Sequence, residues 1–402
     1  MSNNNTVKKI FEVVLCKSDK KPDYNIDFPY FKLISSYEND KFIGYEVDLM
    51  NIDTYCKDCG QLINKIKDYR FVYPSYGIID KKKVVLKVKK KILLCKDCKS
   101  CTSEMIPDMS PKAQKSSKFI KLLLSGLNEQ RTYSSIAREY YISVSNVIYQ
   151  FDKKEEPEII YKTIRNIAID EVRFIINVGK YQCVIFDNDR KEIIDILPER
   201  LYSNVQEYLS SNLSHIKTVT QDFWITYSNA SKRLPSNPTI IVDKFHFVRF
   251  VMWAYMRTRR NLQKDKKLKL GKSWRLQNKS RKKLDKLGKL KVDRVIKQDN
   301  ELLKAYKAKE YFLHIVRTNN LEYYREEIQK WINYVERNNL LEFLPILTTI
   351  NNWSEEIENM FKYKYSNGNI ERVNRTIKLS KNNSFGFRNL KRTIKLLKLR
   401  VS

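Results

Sequence analysis

The spacing of hydrophobic and polar positions changes character several times along this chain. In "VVLKVKKKILL", Val84, Leu86 and Val88 alternate with valine or lysine, a period of two that predicts a strand with one solvated face. Through 116–154 the spacing turns helical. Phe119, Ile120, Leu123, Leu124 and Leu127 form a stripe, and "SIAREYY" and "SVSNVIYQF" read as two short helices joined by a tight turn at Ile142-Ser143, a helix-turn-helix pattern. Ser134 and Ser135 are the expected cap of the first, and Ser143 or Ser145 that of the second. From 164 to 250, β-rich runs ("TIRNIAIDEVRF", "YQCVIFDND", "KEIIDILP", "IKTVTQD", "NPTIIVDKF") are interspersed with the helical "SNVQEYLSSNL" and "WITYSNASKRL", which predicts an α/β segment around a mixed sheet. Residues 244–365 read as helical, and the tail, 366–402, as helix, loop, helix. Pro22 and Pro29 argue against a long helix in residues 1–45, to which the pattern assigns no fold.

Composition narrows the function classes. The chain has 402 residues, 77 Lys plus Arg and 46 Asp plus Glu, a net charge of +31. With 25 Tyr and 18 Phe it has ample material for a core, and bulk disorder is not expected. So basic a chain attracts polyanions, nucleic acid first among them. The charge is concentrated: residues 257–297 hold 18 Lys or Arg against three Asp. Lys264, Lys266, Lys267, Lys269, Lys272, Arg275, Arg281, Lys282 and Lys283 are the expected phosphate contacts, with Trp274 among them. Trp253, Trp331 and Trp353 are expected to build the helical core, and Trp224 to pack rather than to stack on a base. In the helix-turn-helix, "SVSNVIYQF" would enter the major groove, with Ser143, Ser145 and Asn146 touching phosphates or base edges. No run reaches roughly 18–20 uncharged apolar residues, so no membrane helix is expected. Met1 to Thr6 leads into no apolar signal segment, which points to a cytoplasmic, nucleoid-associated location.

Seven cysteines suit a disulfide framework poorly. Four form paired knuckles, Cys56-Lys-Asp-Cys59-Gly and Cys95-Lys-Asp-Cys98, with 35 residues between Cys59 and Cys95. Each knuckle turns two thiolates toward one point, and two together make a tetrahedral site for one structural Zn²⁺ in a zinc ribbon. Gly60 suits the positive φ that such a turn needs. Cys101 creates an overlapping Cys98-Lys-Ser-Cys101 spacing, but Cys95 and Cys98 repeat the first knuckle's pattern.

Three β-rich runs end in acids: "IAIDEV" at Asp170-Glu171, "IKTVTQD" at Asp222 and "PTIIVD" at Asp243, which is followed by Lys244-Phe245-His246. If these strands share a sheet, their carboxylates converge, and clustered carboxylates call for a compensating cation. Two Mg²⁺ about 3.5–4 Å apart would serve and would support in-line attack at a phosphodiester. An Asp after a strand also commonly caps the next helix. By residues alone Asp243 is as good a ligand as Asp222, and His246 either bonds a carboxylate at a helix start or positions Asp243 or the scissile phosphate.

At these motifs the chain resembles a family. "IDEVRF", "TQDFWITYSNA", "VDKFHFVR" and "YSNGNIERVNRTIKLSKNNSFGFRN" are similar to the successive signatures of ISL-three insertion-sequence transposases. The resemblance implies an RNase H-like core whose DDE triad is Asp170, Asp222 and Glu371, holding two Mg²⁺ per active site. Asp243 and His246 match a D-x-x-H element of related families. The 148 residues between Asp222 and Glu371 would include an all-helical insertion. Two features depart from the family: Arg372 stands where a small residue is usual, and the neighbourhood of Cys101 differs. The expected architecture is multidomain α+β. It comprises an arm (1–45), a zinc ribbon (46–110), a helix-turn-helix (111–158), an RNase H-like α/β core (159–250), a basic helical insertion (251–364) and the rest of the core with the catalytic Glu (365–402). The expected activity is metal-dependent cleavage and strand transfer at terminal repeats. The partners would be double-stranded DNA, at transposon ends and target, and a second copy in a homodimer or higher assembly on DNA. A non-catalytic DNA-binding regulator, a decayed transposase or a structure-specific nuclease are the competing readings.

Overall fold

The computed structural model describes residue 8 and residues 30–50, 52–109, 114–129, 131–156, 158–173, 179–268, 270–383 and 389–401. The chain divides after Glu156 into two compact units. Among the described residues no helix is long and apolar enough to cross a membrane.

The first unit is built on strands β1 (Phe31–Glu38), β2 (Phe42–Leu49), β3 (Ile66–Val72), β4 (Ser75–Ile79), β5 (Lys82–Leu94) and β6 (Cys101–Ser103). The lysine-rich alternating run is β5, the organising strand: β2 pairs with it in parallel, and β3, β4 and β6 antiparallel. Val84, Leu86 and Val88 are buried with Ile43, Tyr45 and Val47. The expected boundary between 45 and 46 falls inside β2, because β1 and β2 complete the sheet that carries the knuckles.

Three helices follow: α1 (Ser117–Asn128), α2 (Tyr133–Glu139) and α3 (Val144–Lys153). The cap of α2 is Thr132, whose hydroxyl accepts from the Ser135 amide at 3.0 Å, rather than Ser134 or Ser135. Ser143 caps α3, accepting from the Asn146 amide at 3.3 Å. Tyr141, at φ 49°, supplies the left-handed residue of the turn between them.

The second unit holds a five-stranded sheet of β7 (Asn166–Val172), β8 (Gln182–Asp187), β9 (Glu192–Leu197), β10 (Thr218–Gln221) and β11 (Thr239–Val242), in the order β11-β10-β7-β8-β9. Strands β7 to β9 are antiparallel neighbours, whereas β10 and β11 join parallel to β7. Helices α4 (Tyr202–Asn212) and α5 (Ile225–Lys232) cover one face, packing Val205, Leu209, Tyr227 and Ala230 on Ile167, Ile169 and Val219. Both faces being covered, β8 is buried throughout.

From β11 the chain enters a helical module: α6 (Lys244–Asp265), α7 (Trp274–Gln277), α8 (Lys286–Ile296), α9 (Asn300–Thr318), α10 (Leu321–Arg337), α11 (Leu344–Asn352) and α12 (Ser354–Lys362). Its core joins Phe247, Phe312, Trp331 and Trp353 to Ile241 and Val242 of β11, so the module packs on the sheet's edge strand. Trp331 is fully buried, and its indole N–H donates to the Ala308 carbonyl at 2.8 Å. Lys309, also buried, fastens the basic loop to α9: its Nζ donates to the carbonyls of Gln277 and Lys279 at 2.7 and 3.2 Å and pairs with Glu310. The chain then returns as α13 (Gly368–Asn383) and α14 (Leu390–Val401), which cover the other face of the sheet.

Candidate functional site

In the first unit the sulfur atoms of Cys56, Cys59, Cys95 and Cys98 lie within 4.8 Å of one another. Cys56 and Cys98 are 3.4 Å apart, and Cys59 and Cys95 3.5 Å. A tetrahedron of thiolates about 2.3 Å from a central ion has edges of this order, so the donor set fits a metal such as zinc. Gly60 takes φ 74°, letting its amide bond the Cys56 carbonyl at 2.9 Å. Lys99 adopts φ 60° at the equivalent place after Cys98. The Ser100 hydroxyl lies 3.0 Å from Cys56 Sγ and, with the backbone amides of Cys59 and Asp58, pulls that thiol down to about 5. Ser100 is a member of the site that spacing alone did not reveal. Cys101 stays outside the cluster, exposed on β6 with Lys67 beside it, while Cys16 lies outside the described residues.

The second constellation follows from strand register. On β7, Ile167 and Ile169 face one side of the sheet and Ala168 and Val172 the other, which puts Asp170 on the side covered by α13. Gln221 of β10 is level with Ile169 of β7 and with Val242 of β11. The next residues, Asp170, Asp222 and Asp243, therefore sit at one height across three adjacent parallel strands.

Three groups converge most tightly. His246, on the first turn of α6, directs Nδ1 between Asp222 Oδ1 and Asp243 Oδ2, 2.8 Å from each. Burial opposes charge on this ring, but the hydrogen bonds to Asp222 and Asp243 outweigh it and raise His246 to about 9. The imidazolium is thus the cation that holds two carboxylates together. Asp243 also caps α6, accepting from the Phe245 amide at 3.3 Å, so it serves the helix start and the cluster at once.

Asp170 is 8% exposed, and burial, reinforced by the Asp222 carboxylate, pushes it up to about 7. Its Oδ2 accepts from Asn374 Nδ2 at 2.6 Å. Asp222 Oδ1 accepts from Asn367 Nδ2 at 3.2 Å. Both asparagines are buried, and in each the Oδ1 atom has no partner among the described residues. They bracket Glu371, which stands half-buried on the first turn of α13, its amide bonded to the Asn367 carbonyl at 2.9 Å. Ile370, Val373 and Ile377 seat this helix on Ala168 and Val172. The family resemblance pointed to Glu371 but not to the asparagines, although their i−4 and i+3 spacing from it in "NGNIERVN" was a usable signal. Among the described residues Glu371 makes no side-chain hydrogen bond or ion pair. It shares a helix with Asn374, the partner of Asp170.

Further cations border the acids. Arg200 pairs with Glu171 at 2.6 Å and stacks over Trp224 at 4.5 Å. Trp224 is 37% exposed, and Trp253 stands exposed on α6, so neither packs in the core as expected, whereas Trp331 and Trp353 do. The reason is helical phase: Phe247, Val251 and Ala254 turn inward and leave Trp253 on the outer face.

Of the basic residues named from sequence, Lys264, Lys267, Arg275, Lys282 and Lys283 are exposed. Lys266 pairs with Asp299 at 2.8 Å, and Arg281 grips Asp293 through both nitrogens, so these two are structural partners first. Lys269 lies outside the described residues, as does the side chain of Lys272. On α3, Ser145 is exposed, Asn146 half-buried, and the Ser143 hydroxyl taken by its cap.

This arrangement can gather divalent cations over oxygen donors at the ends of three parallel strands, beside a basic helical module. The comparison with known families falls on the same residues. A DDE-type model of the ISL-three group, described as Transposase, matches residues 167–397, a span that contains Asp170, Asp222, Asp243, His246 and Glu371. Comparison with curated proteins gives no match. Because the matched span exceeds half of the chain, this protein belongs to the ISL-three transposase family.

Proposed function

We propose that this transposase binds the terminal repeats of its insertion sequence, cuts the DNA there and joins the freed end to a target. The supporting observation is the tether between the start of α13 and the strands: Asn374 on the helix to Asp170, Asn367 just before it to Asp222, with Glu371 between them in sequence. The order β11-β10-β7-β8-β9, with three antiparallel strands followed by two parallel ones, supports an RNase H-like reading of the core, interrupted by the helices between β11 and α13. Asp170, Asp222 and Glu371 would hold two Mg²⁺. Oxygen donors suit that ion, and the partnerless Asn367 and Asn374 carbonyls can accept from its water ligands. When bound, the ions lower the pKa of an attacking water or 3′-hydroxyl and stabilise the leaving oxygen.

The chain's own residues set the geometry. Asn374 and Asn367 orient the two aspartates by one donor each, while His246 keeps Asp222 and Asp243 from separating under their mutual repulsion. Arg200 partly neutralises Glu171 beside Asp170. In the first unit, the four cysteines would hold a structural Zn²⁺, and α3 would present Ser145 and Asn146 to DNA. Exposed lysines of the basic module would contact phosphates, and two ends brought together would require at least a dimer.

The test uses a labelled duplex carrying the element's own end, with Mg²⁺. Wild type should cut and join, while Asp170→Ala, Asp222→Ala and Glu371→Ala should bind without doing either. The residual activity of Asp243→Ala ranks it against Asp222. Tight end binding with no cleavage in Mg²⁺ or Mn²⁺ would sink the catalytic reading in favour of a DNA-binding regulator or a decayed copy.

A further inference from the structure

A groove of about 520 Å³ opens along the outer face of α6, against the basic loop and α9. It begins one residue from the acid cluster: Phe245, on its wall, is the neighbour of His246, with the two rings edge to face at 5.5 Å. Phe245, Arg249 and Trp253 lie four residues apart, so they stand in a row on one helix face. The two rings are 53% and 46% exposed. Arg249 lies over both, its guanidinium 4.4 Å from the Trp253 ring and 5.9 Å from that of Phe245. Its Nε is buried without a partner among the described residues.

Lys279, Lys283 and Arg317 complete the charge, and no Asp or Glu lines the groove. Glu310, which the lining residue Ser280 reaches at 3.4 Å, is engaged by Lys309 and the Arg281 amide. Four cations, two half-exposed aromatic rings and a partnerless guanidinium nitrogen match a nucleotide, with phosphates on the cations and a base against the part of the rings that Arg249 leaves uncovered. The volume suits one or two nucleotides and is far too small for a duplex. A base still paired in a duplex exposes only its edge, whereas an unpaired base offers the face that an aromatic ring can stack on.

We infer that this groove binds unpaired DNA, the strand end separated from its complement next to the acid cluster. The inference rests on the transposase reading above and gives it a substrate feature: the reacting end is held single-stranded.

Binding of a labelled short oligothymidylate and of a labelled duplex would be measured without added Mg²⁺ or chelator, using the full chain with Asp170→Ala so that nothing is cut. Trp253→Ala should weaken oligothymidylate binding by about fivefold to more than a hundredfold, the worth of one stacked base. Trp253→Phe should recover most of it, and duplex affinity should change less than twofold. Arg249→Ala should weaken the same probe and lower the salt dependence of its binding. Trp253 is exposed, so its variants should keep the wild-type circular dichroism. Equal losses for oligothymidylate and duplex, or no loss for either, would overturn the groove while leaving the strand-transfer test untouched. Conversely, selective single-strand loss in a protein that never cleaves would uphold the groove and remove the catalysis.

Discussion

Asp170 supplies a prediction with a sign and a size. Burial and the neighbouring Asp222 raise its carboxyl from 3.8 to about 7. A rise of that size corresponds to about 4 kcal/mol against the ionised form at high pH, and this is a ceiling. Replacement by Asn keeps the shape and removes the charge. The carboxamide introduced by Asp170→Asn can accept from Asn374 or from the Glu171 amide but not fully from both, which costs about 1 kcal/mol. The metal-free Asp170→Asn variant should therefore be more stable than wild type by roughly 2–3 kcal/mol near pH 8, or about 4–12 °C in the transition of the second unit. The pH dependence follows from linkage. Between 3.8 and about 7 the folded state holds a proton that the unfolded state has lost, so wild-type stability falls as pH rises through that window. The advantage of the amide should thus vanish near pH 4, grow up to about pH 7 and then level off. It should shrink again with saturating Mg²⁺, which stabilises only the protein that binds it. Differential scanning calorimetry across this range, first without added metal or chelator and then with saturating Mg²⁺, reads all three. A gap that ignores pH, or a variant less stable at pH 8, would refute the account of Asp170 as a buried carboxylate awaiting a cation.

Asn374→Ala should weaken Mn²⁺ binding about 10- to 100-fold by titration calorimetry, through the lost bond to Asp170, and lower the melting temperature without added metal by the roughly 1 kcal/mol of one buried hydrogen bond, about 2–4 °C. His246→Gln should destabilise the metal-free protein at neutral pH, because His246 is raised to about 9 by Asp222 and Asp243 once burial is overcome. That stability is fully present below pH 6.5 and lost as pH rises through about 9, so wild-type and variant denaturation midpoints should converge at higher pH. Elemental analysis should find one zinc per chain, absent in Cys95→Ser and retained in Cys101→Ser; chelation should unfold the first unit in the wild type.

The local motifs of this chain were legible as sequence because each is decided within a few residues. The Cys-x-x-Cys turns, the glycine at φ 74°, the alternation of β5 and the acids that directly follow β10 and β11 all depend on neighbours along the chain, whereas Asp170 proves to lie inside β7. Charge was legible only as an amount. Which cations are available and which are spent, as Lys266 and Arg281 are, depends on acids 12 to 35 positions away. Tertiary structure decided the site itself. Parallel pairing of β10 with β7 on one side and β11 on the other sets Asp170, Asp222 and Asp243 level, and a strand's partner and register are chosen by long-range packing. The same packing brings Asn374 to Asp170 across 204 positions of chain and turns Trp253 outward beside Arg249. Local sequence sets backbone conformation, because its forces act over a turn or two. Only burial of the sheet's two faces selects which distant side chains meet, and the candidate chemistry of this protein lies in those meetings.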